Sequence, residues 1–256
     1  MFFNEIIVDL TLILPLVGVV VGILAGFFGI GGGIVLVPTL LSLGFEMKAA
    51  IGISIVQMVF ASIYGSILNF KNGSLDMKII LPIGVGGFFG ALISPYFVNY
   101  IDSIVLEFLF LAFVFFALGR LYWTTHEMKV EKEVSKTLLF AIGSLIGFFS
   151  ISIGVGGSVL LVPLLVGFLH VSLKKAISAG LFFVVFSSVS GLVGLSLTSS
   201  IDYEHGILVG AGSLIGVAIG IRLKGKVSSK LQKKLLILMY FGVAVYLFIR
   251  LVKEVL

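Results

Sequence analysis

The sequence predicts an all-α integral membrane protein of about ten helical segments, arranged as two inverted repeats of five. Three observations carry this: the amount of apolar surface, a match of the chain to itself, and the placement of the basic residues. With 59% hydrophobic and 11% charged residues in 256 and a mean hydropathy of +1.27, the chain holds far more apolar surface than a soluble core of this size buries.

Polar breaks divide it into apolar segments at 5–25, 33–43, 48–70, 76–98, 103–123, 137–150, 158–170, 174–198, 204–222 and 231–252. Most approach the roughly 20 helical residues that cross a hydrocarbon core about 30 Å thick. Segments 33–43 and 158–170 are too short for that, and each directly follows a glycine cluster. The opening MFFNEIIVDL carries Glu5 and Asp9 where a secretory signal carries Lys or Arg, so a retained first helix is expected. Without cysteine, disulfides, thiol catalysis and thiolate metal sites are excluded. The pI near 9.4 points to no nucleic-acid partner, because the basic residues sit in short loops beside apolar spans, where they set membrane orientation.

The self-match runs at an offset of 125 to 126 over nearly the whole chain. Pro38 falls on Pro163, and Gly29, Gly31 and Gly32 fall on Gly154, Gly156 and Gly157. With one residue inserted, KAAIG at Lys48 meets KKAIS at Lys174, Asp76 meets Asp202, Gly65 meets Gly191, and Gly86 and Gly90 meet Gly212 and Gly216. The expected organisation is a first transmembrane repeat over 1–125, a charged cytoplasmic linker over 126–136 and a second, inverted repeat over 137–256.

Five segments per half turn the second half upside down, and the loop charges agree. Numbering the membrane sides alternately puts Lys71, Lys78, Arg120, Lys129, Lys132, Lys136, Lys174, Lys175, Arg222, Lys224, Lys226, Lys230, Lys233 and Lys234 on one side, and only Lys48, Arg250 and Lys253 on the other. A split of 14 to 3 marks the first side as cytoplasmic and places both termini outside. A re-entrant hairpin has the same parity as two crossings, so the short segments are either.

In GFFGIGGGIVLVPTLL a helix is expected to end near Phe28, turn through Gly29 to Gly33 and restart near Ile34; IGVGGS, from Ile153 to Ser158, repeats this. The unpaired first N–H groups of a restarted helix, with its dipole, favour an anion. Inverted repeats bring two such starts together near the midplane, as in secondary transporters. The alternative role for a glycine cluster is close packing, which is the expected role of Gly18, Gly22, Gly26 and of Gly212, Gly216, Gly220.

Apart from Glu107, the central parts of the spans are expected to hold no charge or histidine, which argues against a carboxylate relay or a cation site. Ser54, Gln57, Ser62, Tyr64 and Asn69 line the third segment, and Ser178, Ser187, Ser188 and Ser190 its repeat partner. Gln57 is either a cavity-lining donor or an interhelical hydrogen bond, and the serines are individually expected to bond back into their own helices. His126, His170 and His205 lie in loops or at helix ends and suggest no metal. Neither a histidine at depth nor a G-x-S-x-G motif supports an enzyme.

Taken together, GFFGIGGGIVLVPTLL with GVGGSVLLVPLL, KAAIGIS with KKAISAG, and NGSLDMKIILPIGVGGFFGALI with SSIDYEHGILVGAGSLIGVAIGIRL make the chain similar to the TauE/SafE sulfite exporters, also called toluene-sulfonate uptake permeases. The resemblance implies an inner-membrane carrier of sulfite or organosulfonate-like anions. It points to Gly29, Gly31, Gly32, Gly33 and Pro38, and to Gly154, Gly156, Gly157 and Pro163. The copies differ where Ser158 matches Gly33 and Phe183 matches Gln57, so an asymmetric site is expected.

The combined expectation is a non-enzymatic secondary transporter that exports a small sulfur oxyanion by alternating access, with a gated small-anion channel as the alternative. Gly29, Gly31, Gly32, Gly33, Gly154, Gly156, Gly157, Ser158, Gln57, Ser54 and Ser187 are the expected substrate-binding residues, and Pro38 and Pro163 the expected helix breaks. No metal or cofactor is expected. Membrane lipid surrounds the chain, and its apolar outer faces are compatible with a homodimer.

Overall fold

In lipid each backbone N–H and C=O needs a partner within the protein, and an apolar segment meets that need locally by forming a helix. The computed structural model describes residues 2–71, 77–123, 135–198 and 201–255. These residues form ten helices and no strand: α1 (Phe2–Phe28), α2 (Gly33–Ser42), α3 (Met47–Lys71), α4 (Met77–Val98), α5 (Ser103–Trp123), α6 (Lys136–Ser152), α7 (Ser158–Gly167), α8 (Leu173–Thr198), α9 (Tyr203–Lys226) and α10 (Ser229–Val255). Seven are long and apolar enough to cross a membrane; α2, α6 and α7 are shorter. Asp76, His126, Lys129, Lys132 and the linker up to residue 134 lie outside the described residues.

The starts follow ordinary capping chemistry where polar residues are available. The Ser135 hydroxyl accepts from the Leu138 N–H and the Asp202 carboxylate from the His205 N–H, at 3.3 and 3.1 Å. The largest boundary difference is at α9, which runs to Lys226 rather than residue 222. Lysines suit the last turn of a helix, where they meet the negative end of its dipole, so the charges do not end the helix.

Glycine stripes decide how the helices pair. β-Carbons at Gly18, Gly22 and Gly26 of α1 would strike the carbonyls of Val209, Ser213 and Val217 on α9. Reciprocally, those at Gly212, Gly216 and Gly220 would strike the carbonyls of Pro15, Val19 and Ile23. The two numberings rise together, so α1 and α9 run parallel with their backbones in contact, as expected for these six glycines. The same arrangement recurs between α4 and α6, where Gly86 and Gly90 meet Phe140 and Ser144, and Gly143 and Gly147 meet Ile83 and Gly87. At the offset of the sequence self-match α1 corresponds to α6 and α9 to α4, so the two pairings correspond to each other.

Gly216→Val drives its new carbons into the Val19, Gly22 and Ile23 backbone, so loss of folded protein is expected. No atom lies within 4 Å of a β-carbon at Gly119, so Gly119→Ala is expected to gain about 0.5–1 kcal/mol from helix propensity alone. Thermal unfolding in detergent reads both, and a Gly216→Val protein as stable as its parent removes the packing argument.

Helices α3 and α8 cross at the centre. Ser62 and Ser188, repeat equivalents, place their hydroxyl oxygens 3.5 Å apart. A β-carbon at Gly65 would meet Leu181, so the two helices run in opposite directions through the crossing. Around them, α5 and α10 pack on each other and expose much of their apolar surface, including Phe108, Phe115, Phe116, Phe241 and Phe248.

Candidate functional site

The helical path is interrupted in the same way at two places that the sequence self-match aligns. Helix α1 ends at Phe28 with the Gly29 N–H bonded to the Ala25 carbonyl at 2.8 Å, and α2 starts at Gly33. Helix α6 ends at Ser152, and α7 starts at Ser158. Between them Gly29, Gly31 and Gly32 have φ of 70°, 72° and 100°, and Gly154, Gly156 and Gly157 have 71°, 74° and 86°. Only glycine adopts this left-handed backbone without strain, which explains why the cluster recurs at equivalent positions.

Pro38 and Pro163 correct the sequence reading. Expected as the helix breaks, they lie inside α2 and α7, which continue past them. Proline fixes φ near −65° and so cannot make a positive-φ break; within a short helix it only removes a hydrogen-bond donor. The break is made by glycine alone.

The two interruptions meet. A β-carbon at Gly33 would strike the Gly154 carbonyl oxygen and lie 2.9 Å from the Ser54 hydroxyl oxygen and from Val155 Cα. Ser54 donates to that same Gly154 carbonyl at 2.8 Å, and Ser187 to the Gly156 carbonyl at 2.9 Å, with a longer 3.4 Å contact to Val184 in its own helix. These serines therefore tie α3 and α8 to the second break, whereas Ser178 bonds back to Lys174 as expected. The Ser54 position corresponds to Gly180, just as Gly33 corresponds to Ser158, so the hydroxyl moves from the long helix to the short one between the halves.

No side chain caps the start of α2 or α7. Their first N–H groups face the interruptions beside two polar side chains that are wholly buried and have no hydrogen-bond partner among the described residues. These are the Gln57 amide, at both its oxygen and nitrogen, and the Ser158 hydroxyl. A β-carbon at Gly32 would stand 3.0 and 3.1 Å from Gln57 Oε1 and Nε2. At the equivalent place a β-carbon at Gly157 would strike the Phe183 ring. The site is thus two-fold in its backbone and asymmetric in its side chains. Of the two readings for Gln57, an interhelical hydrogen bond from its amide is not found among the described residues.

Met58 and Val184, also repeat equivalents, fill the space between the breaks. Both lie within 3.4 Å of β-carbon positions at Gly31 and Gly156. Sequence reasoning missed them because apolar residues carry no polar signal, although their offset of 126 and the i, i+4 relation of Met58 to Ser54 place them on the same face.

Charge enters the bundle at two places. Glu107, only 1% exposed, accepts from Arg250 Nε at 3.0 and 3.2 Å, and Arg250 Nη1 donates to the Leu41 carbonyl in the last turn of α2. Lys224, expected in a cytoplasmic loop, instead lies in the last turn of α9 and is buried there. Its Nζ is buried between Asn69 Oδ1 and Ser178 Oγ, both at 2.8 Å. The signal was its spacing of four from Gly212, Gly216 and Gly220, which puts it on the buried face of α9. Among the described residues no group of His, Asp and Glu could hold a metal. His205 pairs with Asp202, and His170 lies within the loop between α7 and α8 at φ 57°.

Seven membrane-length helices around two facing, interrupted segments have the architecture of a membrane transporter. The chain belongs to the sulfite exporter TauE/SafE family, whose pattern it matches over residues 14–247. It is 28% identical over 240 residues, 89% of each chain, to a probable membrane transporter protein of Methanocaldococcus jannaschii. To another from Bacillus subtilis it is 26% identical over 220 residues, 82% of this chain and 88% of the relative. No solved structure matches it.

Proposed function

We propose that the protein exports a small sulfur oxyanion, sulfite or an organosulfonate-like anion, across the inner membrane by alternating access about the two glycine interruptions. The observation that carries this reading is the pair of unpartnered donors, the Gln57 amide and the Ser158 hydroxyl, beside two uncapped helix starts. Donors and positive dipole ends with no carboxylate at the interruptions favour an anion and repel a cation. An inside-negative potential drives the export of an anion by about 2.3 kcal/mol per charge per 100 mV, so efflux needs no coupling ion.

The halves are inverted repeats in this reading, with both termini extracytoplasmic. Helix directions support it: α1 and α9 run parallel, α4 and α6 run parallel, and α3 opposes α8. An alternating ten-segment path requires these directions. The 14 to 3 distribution of basic residues supports the orientation. Passage requires Met58 and Val184 to part, first toward one side and then toward the other.

Proteoliposomes loaded with radiolabelled sulfite test the proposal. The expected result is efflux that saturates with internal sulfite and accelerates under an inside-negative potential. Efflux that stays linear in the gradient at rates far above about 10³ per second identifies the channel instead. No efflux of sulfite, thiosulfate or taurine sinks the substrate class.

A further inference from the structure

We infer that Lys224, with Asn69 and Ser178, forms a second oxyanion-binding station on the cytoplasmic approach to the first glycine interruption, where an anion docks before it reaches the centre. The inference rests on the transport reading for its direction.

An ammonium at 7% exposure is costly to keep in a membrane bundle unless a counter-charge or a full set of hydrogen bonds holds it. Lys224 Nζ donates to two neutral oxygens, Asn69 Oδ1 and Ser178 Oγ, which leaves one of its three protons over. Among the described residues no carboxylate pairs with it. The charge that acts on it is repulsive: Lys174 lies within electrostatic reach, and Ser178 donates its own hydroxyl proton to the Lys174 carbonyl at 3.1 Å. Two cations without an acid, one of them with a proton to spare, make a site that an oxyanion completes.

The place fits a relay. Ile177, the residue before Ser178, sets its carbonyl where a β-carbon at Gly29 would fall, so the station is one residue along α8 from the first interruption. It lies at the end of the bundle where α3 finishes and α8 begins, the end assigned to the cytoplasm. The other half has no equivalent: at the repeat offset Lys224, Asn69 and Ser178 become Val98, Leu195 and Gly52. A purely architectural feature of the repeat would recur there, whereas a docking station for export is needed on one face only.

Sulfite kinetics on each face test this. In inside-out vesicles, where uptake corresponds to export, Lys224→Gln is expected to raise the half-saturating sulfite concentration at least about tenfold, and Lys224→Arg to change it little. In right-side-out vesicles both are expected to match the parent. Asn69→Asp supplies the missing carboxylate, so it is expected to mimic Lys224→Gln even if the latter fails to fold. An unchanged inner half-saturation in either folded variant, or an equal rise on both faces, overturns the station. Thermal stabilisation by sodium sulfite against sodium chloride of equal ionic strength separates the two proposals. A parent that moves no sulfite, yet is stabilised at tenfold lower concentration than Lys224→Gln, removes the transport reading and keeps the station. Transport with no such difference in stabilisation or inner half-saturation does the reverse.

Discussion

Alanine at Gly32 or at Gly157 is expected to reduce sulfite efflux to background while the protein still folds. At φ of 100° and 86° an alanine sits in the left-handed region at about 1–2 kcal/mol. The added carbon at Gly32 would stand 2.6 Å from Val21 Cγ1 and close to the Gln57 amide; at Gly157 it would press on the Phe183 ring. These are side chains, which give way, so the total cost is a few kcal/mol against the roughly 5–15 that folded domains hold. The interruption, however, cannot keep its shape, and the helix starts turn away from one another. Gly33→Ala differs, because its new carbon strikes the Gly154 backbone, and loss of folded protein is expected. Efflux measured alongside size-exclusion chromatography separates the cases. Undiminished efflux in folded Gly32→Ala or Gly157→Ala disproves the site.

Gln57→Leu is expected to make the protein more stable and less active. Both polar atoms of the amide are buried without partners, which costs about 1–3 kcal/mol that an apolar side chain of similar size recovers. Leucine also makes the first half resemble the second, where Phe183 already fills this place. The melting temperature should rise by several degrees while efflux falls by tenfold or more. A variant that loses stability shows that the amide serves the fold, and one that gains stability at full activity shows that another group holds the anion. This opposition of stability and activity is the pattern of a residue retained for function.

Much of this architecture was legible in the residues because the sequence matches itself at an offset of 125 to 126. The glycine clusters and the short helices behind them come from local chemistry, positive φ and helix length, which a single strand of sequence encodes, whereas α6 is a third short helix that the sequence reading does not set apart. The difference between Gln57 and Phe183 was visible as a mismatch between copies, and the structure seats both over equivalent glycines. Other features were hidden for physical reasons. Which helix covers which glycine stripe is a property of three-dimensional pairing, so the meeting of Gly22 with Ser213 had no sign in either segment alone. Pro38 and Pro163 attracted the role of breaking the helix because proline usually does so, while the positive backbone angles exclude it. Lys224 looked like a loop residue because charge was used to mark the end of the span.

The pairing of α1 with α9 and of α4 with α6 has a consequence for how the molecule is made. While a ribosome delivers the first five helices, the glycine faces of α1 and α4 have nothing to rest on, because their partners are still unsynthesised. Helices α1 and α4 wait in the bilayer with two bare seams, which close when α6 and then α9 arrive. Assembly therefore ends near the last helices, and a chain stopped before Tyr203 leaves α1 unclasped for surveillance proteases to find.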